Sequence, residues 1–320
     1  MSHPKQVLIT GGAGFIGSHL SDRFLAEGAR VKVVDDLSTG SLANLHSALK
    51  QPGFEFLQSR VSSCDALTSL VAESDLVVHL AAAVGVELVI QSPIQTITTN
   101  LEETRVILEA CGEHQKPVIL ASTSEVYGKS AKNGFSEDDD LLIGPPYLGR
   151  WSYACSKLMD EFLALAFARE RNLPVMILRF FNTVGPRQTG AYGMVLPRFI
   201  AAARGNRPIR VYGTGNQTRC FCYVGDVVES ILRLQANPQS WGEIINVGSD
   251  EEISITDLAG RVIRRLGSTS SLELVPYTEA YAPGFEDMQR RKPITEKLQQ
   301  LAGFKPGTHL DRIIELTAGL

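Results

Sequence analysis

Nowhere in its 320 residues does this chain hold the roughly 20 consecutive apolar positions that a membrane-spanning helix requires, so no membrane partner is expected. An excess of one charge is missing too: 31 Lys and Arg stand against 35 Asp and Glu, a net charge of −4. That balance argues against a nucleic-acid-coating protein, so no nucleic-acid partner is expected. Cysteines number only five, an odd count without framework spacing. This excludes a disulfide scaffold and fits reduced thiols in a cytoplasm. Cys220 and Cys222 would share one strand face, but two further ligands are lacking, so they read as core thiols and no metal site is expected. Internal repeats, low-complexity tracts and long linkers are absent. The leading residues Met1-Ser2-His3-Pro4-Lys5-Gln6 run into the first apolar segment without a signal-peptide pattern, which also makes a cytoplasmic location the expectation.

What is present begins with residues 7–35. The apolar run Val7 to Thr10 reads as a buried parallel strand closed by glycines. Gly11, Gly14 and Gly17 follow at a spacing of three, and an amphipathic helix is expected from Phe15 to about Glu27, ended by Gly28. Gly11 permits a tight turn, Gly14 lets the backbone approach a pyrophosphate, and Gly17 lets helix and strand pack closely. The anion then meets free N–H groups at the helix N-terminus, around Phe15 and Ile16. A second strand, Val31 to Val34, closes on Asp35. An acid about 20 positions beyond the glycines is where adenosine ribose hydroxyls are held. Asp35 would repel a 2′-phosphate, and Asp36-Leu37-Ser38 offers no arginine to pair with one. The expected cofactor is therefore NAD rather than NADP.

Strands and helices then alternate. Strands are expected at 54–57, 76–80, 118–121 and 175–179, with long helices at about 94–114 and 151–171. After the fourth strand, small residues at Ala81-Ala82-Ala83 let the backbone come close to a cofactor. This alternation predicts an α/β fold, a doubly wound parallel sheet with sites at the carboxyl ends of its strands. Past Asn182 the pattern loosens into a smaller α+β lobe, with a strand at 209–212 and helices around 194–204 and 256–266. The expected division is a nucleotide domain over 1–182 with a return segment at about 226–250. The second lobe takes 183–225 and 251–320.

Tyr153 and Lys157 stand four apart on the second long helix, so phenol and ammonium occupy one face. A nearby cation favours phenolate, which predicts a Tyr153 pKa below its ordinary value of about 10. Lys157 also has the reach to hold a nicotinamide ribose. Just after the fifth strand comes Ser122-Thr123-Ser124-Glu125-Val126-Tyr127-Gly128, a hydroxyl-rich turn suited to orienting a sugar hydroxyl.

Together these features resemble the extended short-chain dehydrogenases/reductases, in their nucleotide-sugar epimerase, dehydratase and decarboxylase branch, over nearly the whole chain. The resemblance rests on the glycines at 11–17, Asp35, His79-Leu80-Ala81-Ala82, Asn100, Thr123, Tyr153 with Lys157, Arg179-Phe180-Phe181-Asn182 and Gly185-Pro186-Arg187. It implies a Rossmann-type fold and cofactor contacts at Phe15, Ile16, Leu80, Ala81, Ala82 and Asn100. It also implies that Tyr153 is the general base at the sugar C4 hydroxyl, that Thr123 orients that hydroxyl, and that Asn182 holds the diphosphate-sugar. Tyr212-Gly213-Thr214-Gly215-Asn216-Gln217-Thr218-Arg219 resembles the segment that packs uracil and binds the diphosphate. Arg187, Val195 and Leu196 are further substrate contacts by the same resemblance. A homodimer is also implied, in which the two long helices bury outward apolar faces (Ile97, Leu101, Leu158, Phe162, Leu165) in a four-helix bundle. One departure stands out: relatives place Asp-Val or Asp-Ile after strand three to touch adenine, where this chain has Arg60-Val61.

Three features bear on the branch. Glu125 stands two beyond Thr123, as in sugar 4,6-dehydratases, but its neighbour is Ser124 where those enzymes often have Asp. The segment Gly284 to Pro293, with Arg291-Lys292-Pro293, is similar to one in UDP-glucuronate decarboxylases, whose arginine serves the sugar carboxylate and diphosphate region. Gly149-Arg150-Trp151-Ser152-Tyr153 resembles the catalytic-helix start of the aminoarabinose-pathway decarboxylase and of apiose synthase. The expectation is a UDP-glucuronate decarboxylase giving UDP-xylose or its 4-keto precursor. Thr123, Ser124, Glu125 and Arg291 sit at the sugar, and Glu125 contributes an exchangeable proton near C5. The alternatives are a UDP-sugar 4-epimerase, a 4,6-dehydratase and a non-catalytic NAD-binding scaffold. The acidic run 137–140 is expected to be a solvated loop.

Overall fold

The computed structural model describes residues 3–83, 92–190, 194–280 and 286–320. Its centre is a seven-stranded parallel sheet in the order β11-β6-β5-β4-β1-β2-β3. The strands are β1 (Gln6–Thr10), β2 (Arg30–Asp35), β3 (Phe54–Gln58), β4 (Leu76–His79), β5 (Val118–Thr123), β6 (Val175–Phe180) and, much later in the chain, β11 (Ile244–Val247). The reversal of strand order between β1 and β4 opens a crevice at the carboxyl edge, where ligands bind in such sheets. The helices α1 (Phe15–Ala26), α2 (Leu67–Glu73), α3 (Pro93–His114) and α4 (Trp151–Arg171) make the crossovers.

Burial on both faces explains the uninterrupted apolar strands. Within β1, Val7 and Ile9 join one core with Leu20 and Phe24 of α1, while Leu8 joins the opposite core with Ile107 and Leu108 of α3 and Ala164 of α4. The period-two alternation of a strand thus feeds two helical layers rather than one layer and solvent. α3 and α4 stop at Gln115 and Asn172, both in the left-handed conformation (φ 51° and 52°).

Beyond β6 the chain makes β7 (Thr183–Val184), α5 (Val195–Arg204), β8 (Ile209–Tyr212), β9 (Thr218–Cys220) and β10 (Cys222–Tyr223). It then re-enters the central layer through α6 (Val224–Ala236), whose Val227, Val228 and Ile231 cover α1, and through β11, paired in parallel with β6. β12 (Glu252–Ser254), α7 (Ile255–Arg265), β13 (Leu272–Val275), the single turn α8 (Tyr277–Ala280), β14 (Arg290–Arg291), α9 (Glu296–Ala302) and α10 (Leu310–Ala318) complete the chain. A separate core joins Leu196 and Phe199 of α5, Val211 of β8, Leu258 of α7 and Ile313 of α10. α7 is capped by Ser254, whose Oγ accepts from the Asp257 N–H at 3.0 Å.

The run 137–140 corrects one expectation. Glu137 is buried, and its Oε1 accepts from the Asn246 backbone N–H at 2.8 Å, so the loop is tied to β11 rather than fully solvated. Cys220 and Cys222 are both buried, free thiols. Among the described residues no helix is long and apolar enough to cross a membrane.

Candidate active site

A cleft of about 890 Å³ runs along the carboxyl edge of the sheet, from the glycine turn after β1 to β14. At one end Gly11 turns with φ +70°, and a Cβ on it would lie 2.7 Å from the Ala81 backbone nitrogen. A Cβ on Gly17 would lie 2.4 Å from the Gly11 carbonyl oxygen. Only glycine fits either place, so backbone alone forms this wall. α1 has no side-chain cap, which leaves its first N–H groups, at Phe15, Ile16 and Gly17, for an anion. Asp35 closes the same end. Its Oδ2 accepts from the Ala13 N–H (2.9 Å) and its Oδ1 from the Leu37 N–H (2.8 Å). Burial pushes its carboxyl up, and those bonds draw it back. A dinucleotide fits this donor set, with its pyrophosphate on the glycine turn and a ribose at Asp35. Arg60 reaches the cleft but lies 3.4 Å from Asp36, which answers its charge.

Leu80, Ala81 and Ala82 line the cleft just past β4, which ends at His79 rather than at residue 80. Asn100 does not line it. It is buried behind, its Oδ1 accepting from the Ala83 N–H (2.8 Å) and its Nδ2 donating to Ser156 Oγ (3.0 Å), so it fixes the chain after β4 from behind.

The other end is polar. Thr123, at the carboxyl end of β5, accepts the Glu125 N–H on its Oγ1 (3.2 Å), and its side chain hydrogen-bonds the Tyr153 hydroxyl. Tyr153 and Lys157 project from the first turns of α4 into the same space. The expected lowering of the Tyr153 pKa is not what this arrangement produces. Burial, with the Glu125 and Asp160 carboxylates, pushes the phenol well above its ordinary value, against the pull of Thr123 and Arg291. Lys157 spends its charge on Asp160, its Nζ donating to Oδ2 at 2.8 Å.

Glu125 sits among guanidiniums. Arg150 Nη2 lies 3.0 Å from its Oε2, and Arg291 Nη1 donates to its Oε1. Burial disfavours the charge, but Arg150, Arg291 and Arg219 outweigh it and hold the carboxyl at about 2. Glu125 is therefore a fixed anion at neutral pH and not the store of an exchangeable proton that the sequence suggested. Asp287 is the second anion. It accepts from Arg219 Nη2 (2.9 Å to each oxygen), Arg150 Nη2 (3.2 Å) and the Tyr277 hydroxyl (3.1 Å). Arg291 also donates to Asn182 Oδ1, and Asn182 Nδ2 donates to the Cys220 carbonyl (3.0 Å).

Ser124, Val195, Leu196 and Tyr212 complete the wall, with Arg198 stacked over the Tyr212 ring at 4.3 Å. Arg187 lines the cleft too, while pairing with Asp22 of α1 at 2.6 Å. Gly284 and Phe285 lie outside the described residues. The sequence reading gave no site role to Arg150, Asp160 or Asp287. Two of them carried a signal, since Arg150 precedes Tyr153 by three and Asp160 follows Lys157 by three on one helix. Asp287 carried none, because only folding brings it across the cleft to Arg150.

A doubly wound sheet, a glycine-lined dinucleotide wall and a Thr-Tyr-Lys set facing it define an NAD-dependent enzyme. The chain belongs to the NAD dependent epimerase/dehydratase family, which matches residues 7–248. It is 41% identical to the UDP-N-acetyl-alpha-D-glucosaminuronate decarboxylase of Bacillus cytotoxicus, over 98% of this chain and 96% of that protein. It is 33% identical to UDP-glucuronic acid decarboxylase 1 of Xenopus tropicalis, over 98% of this chain and 71% of that one. Among solved structures it is similar to the UDP-glucuronic acid 4-epimerase of Bacillus cereus, solved with UDP-glucuronic acid and NAD. The TM-score there is 0.88 at 29% identity, covering 98% of both chains.

Proposed function

We propose that this protein is a decarboxylase of a UDP-linked uronic acid, with UDP-glucuronate as substrate and UDP-xylose or its 4-keto precursor as product. One observation carries the reading: Arg150, Arg219 and Arg291 converge at the sugar end of the cleft, where they pair with Glu125 and Asp287. Three guanidiniums gathered at one end of the cleft suit a substrate that brings both a diphosphate and a sugar carboxylate. The decarboxylases among the relatives support it, and the 41% identical one is named for the N-acetylated uronic acid, which makes that sugar the second substrate to test.

NAD, when bound, supplies the acceptor for the C4 hydride and returns it at the end. Tyr153 acts in this step as the phenolate, a form that the positive nicotinamide ring of bound NAD would favour against the burial and the carboxylates that otherwise keep it a phenol. It takes the proton of the C4 hydroxyl while Thr123 holds that oxygen. The resulting C4 ketone lies β to the carboxylate, so the electrons of the breaking C5–C6 bond flow into it as carbon dioxide leaves. Thr123 and Tyr153 hydrogen-bond the enolate oxygen that forms. A proton from water then adds at C5, since Glu125 has none to give. In the same reading Tyr212 packs the uracil, Arg187 and Arg219 serve the diphosphate, and Asn182 and Arg291 hold the sugar.

A 4-epimerase is the second reading, supported by the Bacillus cereus neighbour. Purified protein incubated with NAD and UDP-glucuronate, and separately with the N-acetylated substrate, decides between them. Carbon dioxide release from either is the expected result. UDP-galacturonate without gas identifies an epimerase, and no turnover overturns both.

The protein is proposed to act in the cytoplasm as a homodimer. Ile94, Ile97, Met159 and Phe162 of α3 and α4 are exposed apolar side chains on adjacent helices, 80%, 37%, 54% and 61% accessible. Of the interface residues expected from sequence, Leu158 and Leu165 instead pack partly inward, against the cores beneath α4.

A further inference from the structure

Lys157 and Asp160 form an ion pair in the protein interior. The lysine side chain is 3% accessible, the aspartate side chain 0%, and Nζ meets Oδ2 at 2.8 Å. Only the lysine lines the cleft; Asp160 lies behind it, three positions on along α4. Among the described residues Asp160 is the only carboxylate paired with Lys157.

Among the described residues the surroundings leave no substitute. On α4, Tyr153 is held as the neutral phenol, and Glu161 is taken up by Arg179 of β6, at 2.9 and 2.7 Å. From β4, burial brings the His79 pKa down to about 3, so the ring is neutral. It bonds Thr10 Oγ1 (2.7 Å) and Thr104 Oγ1 (3.3 Å). From α3, Thr104 is a neutral neighbour of Asp160, and the Glu103 carboxylate accepts from the N–H and Oγ of Ser62. From the turn after β5, Glu125 belongs to Arg150 and Arg291. Thr104 adds a neutral hydrogen bond to Asp160, so among the described residues Lys157 is its one positively charged partner.

We propose that Asp160 is the buried counterion that keeps Lys157 protonated and aimed into the cofactor end of the cleft. It is a positioning residue, touching neither cofactor nor substrate. A lysine this deeply buried and without a counterion loses its proton readily, because desolvation penalises the ammonium by as much as several pH units. With Asp160 in place, two of the three Nζ donors stay free for ribose hydroxyls while the third is anchored. The inference rests on NAD dependence and on no particular sugar, so it stands or falls separately from the decarboxylase reading.

Asp160→Asn tests it, because the amide keeps the size and an acceptor for Nζ but removes the charge. NAD affinity is measured by calorimetry from about pH 6 to about pH 9. For the wild type it is expected to stay level. In Asp160→Asn it is expected to match wild type within about threefold at the acid end and to weaken at least roughly tenfold toward the alkaline end. Adding Lys157→Arg to the variant should abolish that slope, since guanidinium does not deprotonate in this range. An Asp160→Asn profile parallel to wild type, whether coincident or uniformly weaker, overturns the proposal. Should the variant fail to fold, the wild-type protein decides through the Nζ resonance of Lys157, assigned by its loss in Lys157→Arg. That signal is expected to keep its ammonium position throughout the pH range of the affinity measurements, and conversion to the amine within that range overturns the proposal.

Discussion

Replacing Tyr153 with phenylalanine removes one oxygen from the cleft wall and leaves the aromatic body in place. If that oxygen is the base at C4, turnover falls by about 10²–10⁴-fold while NAD affinity stays within a few-fold. Activity within tenfold of wild type would assign the base to another group. Glu125 makes a different prediction, because its proton is already gone at neutral pH. Its carboxyl, held at about 2, contributes stability that is fully present above the ordinary carboxylate pKa near 4.3 and disappears as pH falls through the folded value. The contribution at neutral pH is roughly 3 kcal/mol. Urea midpoints of wild type and Glu125→Gln should therefore differ most above about pH 5 and converge toward about pH 2. A constant gap over that range contradicts the ion-pair account. The legibility of these residues follows their spacing. Tyr153 and Lys157 could be seen to share a helix face, but their charges could not be read from it. The phenol is lifted first by its burial and then by the Glu125 and Asp160 carboxylates, and all of these depend on packing.

At the scale of the element, β1, the glycine turn and α1 were legible because each is determined by its own few residues. Apolar alternation, three glycines and an acid at the next strand end leave little else for that segment to form. The same holds for α3 and α4, although the inward lean of Leu158 and Leu165 depends on which cores lie beneath them. The tie of Glu137 to Asn246 was not legible, since its partner is 109 positions away. The outward faces of α3 and α4 carry the association prediction. Phe162, 61% accessible, is the largest apolar side chain on that surface of α4. Phe162→Glu should convert a dimer to a monomer in light scattering at micromolar concentration with little change in far-ultraviolet dichroism. A wild-type monomer, or a variant dimer of unchanged affinity, removes these helices from the interface.

For the whole molecule, NAD binding is a stability test. A ligand that binds only the folded state adds about 2.7 kcal/mol at a hundred times its dissociation constant. NAD should thus raise the unfolding temperature by several degrees, and NADP at equal concentration by much less. Asp35 faces a 2′-phosphate there, and Arg60 is already answered by Asp36. An equal shift with NADP would show that Arg60 leaves Asp36 for the phosphate.

The order in which the sheet is assembled on the ribosome is set by where β11 lies. The edge strand beside β6 comes from residues 244–247, and the helix that covers Leu20 and Phe24 from residues 224–236. During translation the glycine turn, α1 and the first six strands all emerge while that apolar flank is still bare. A nascent chain halted before α6 should be sticky, a client for chaperones and unable to retain nucleotide. Because Leu298 and Ala302 of α9 belong to the same core, competence should come only after residue 302 has left the exit tunnel.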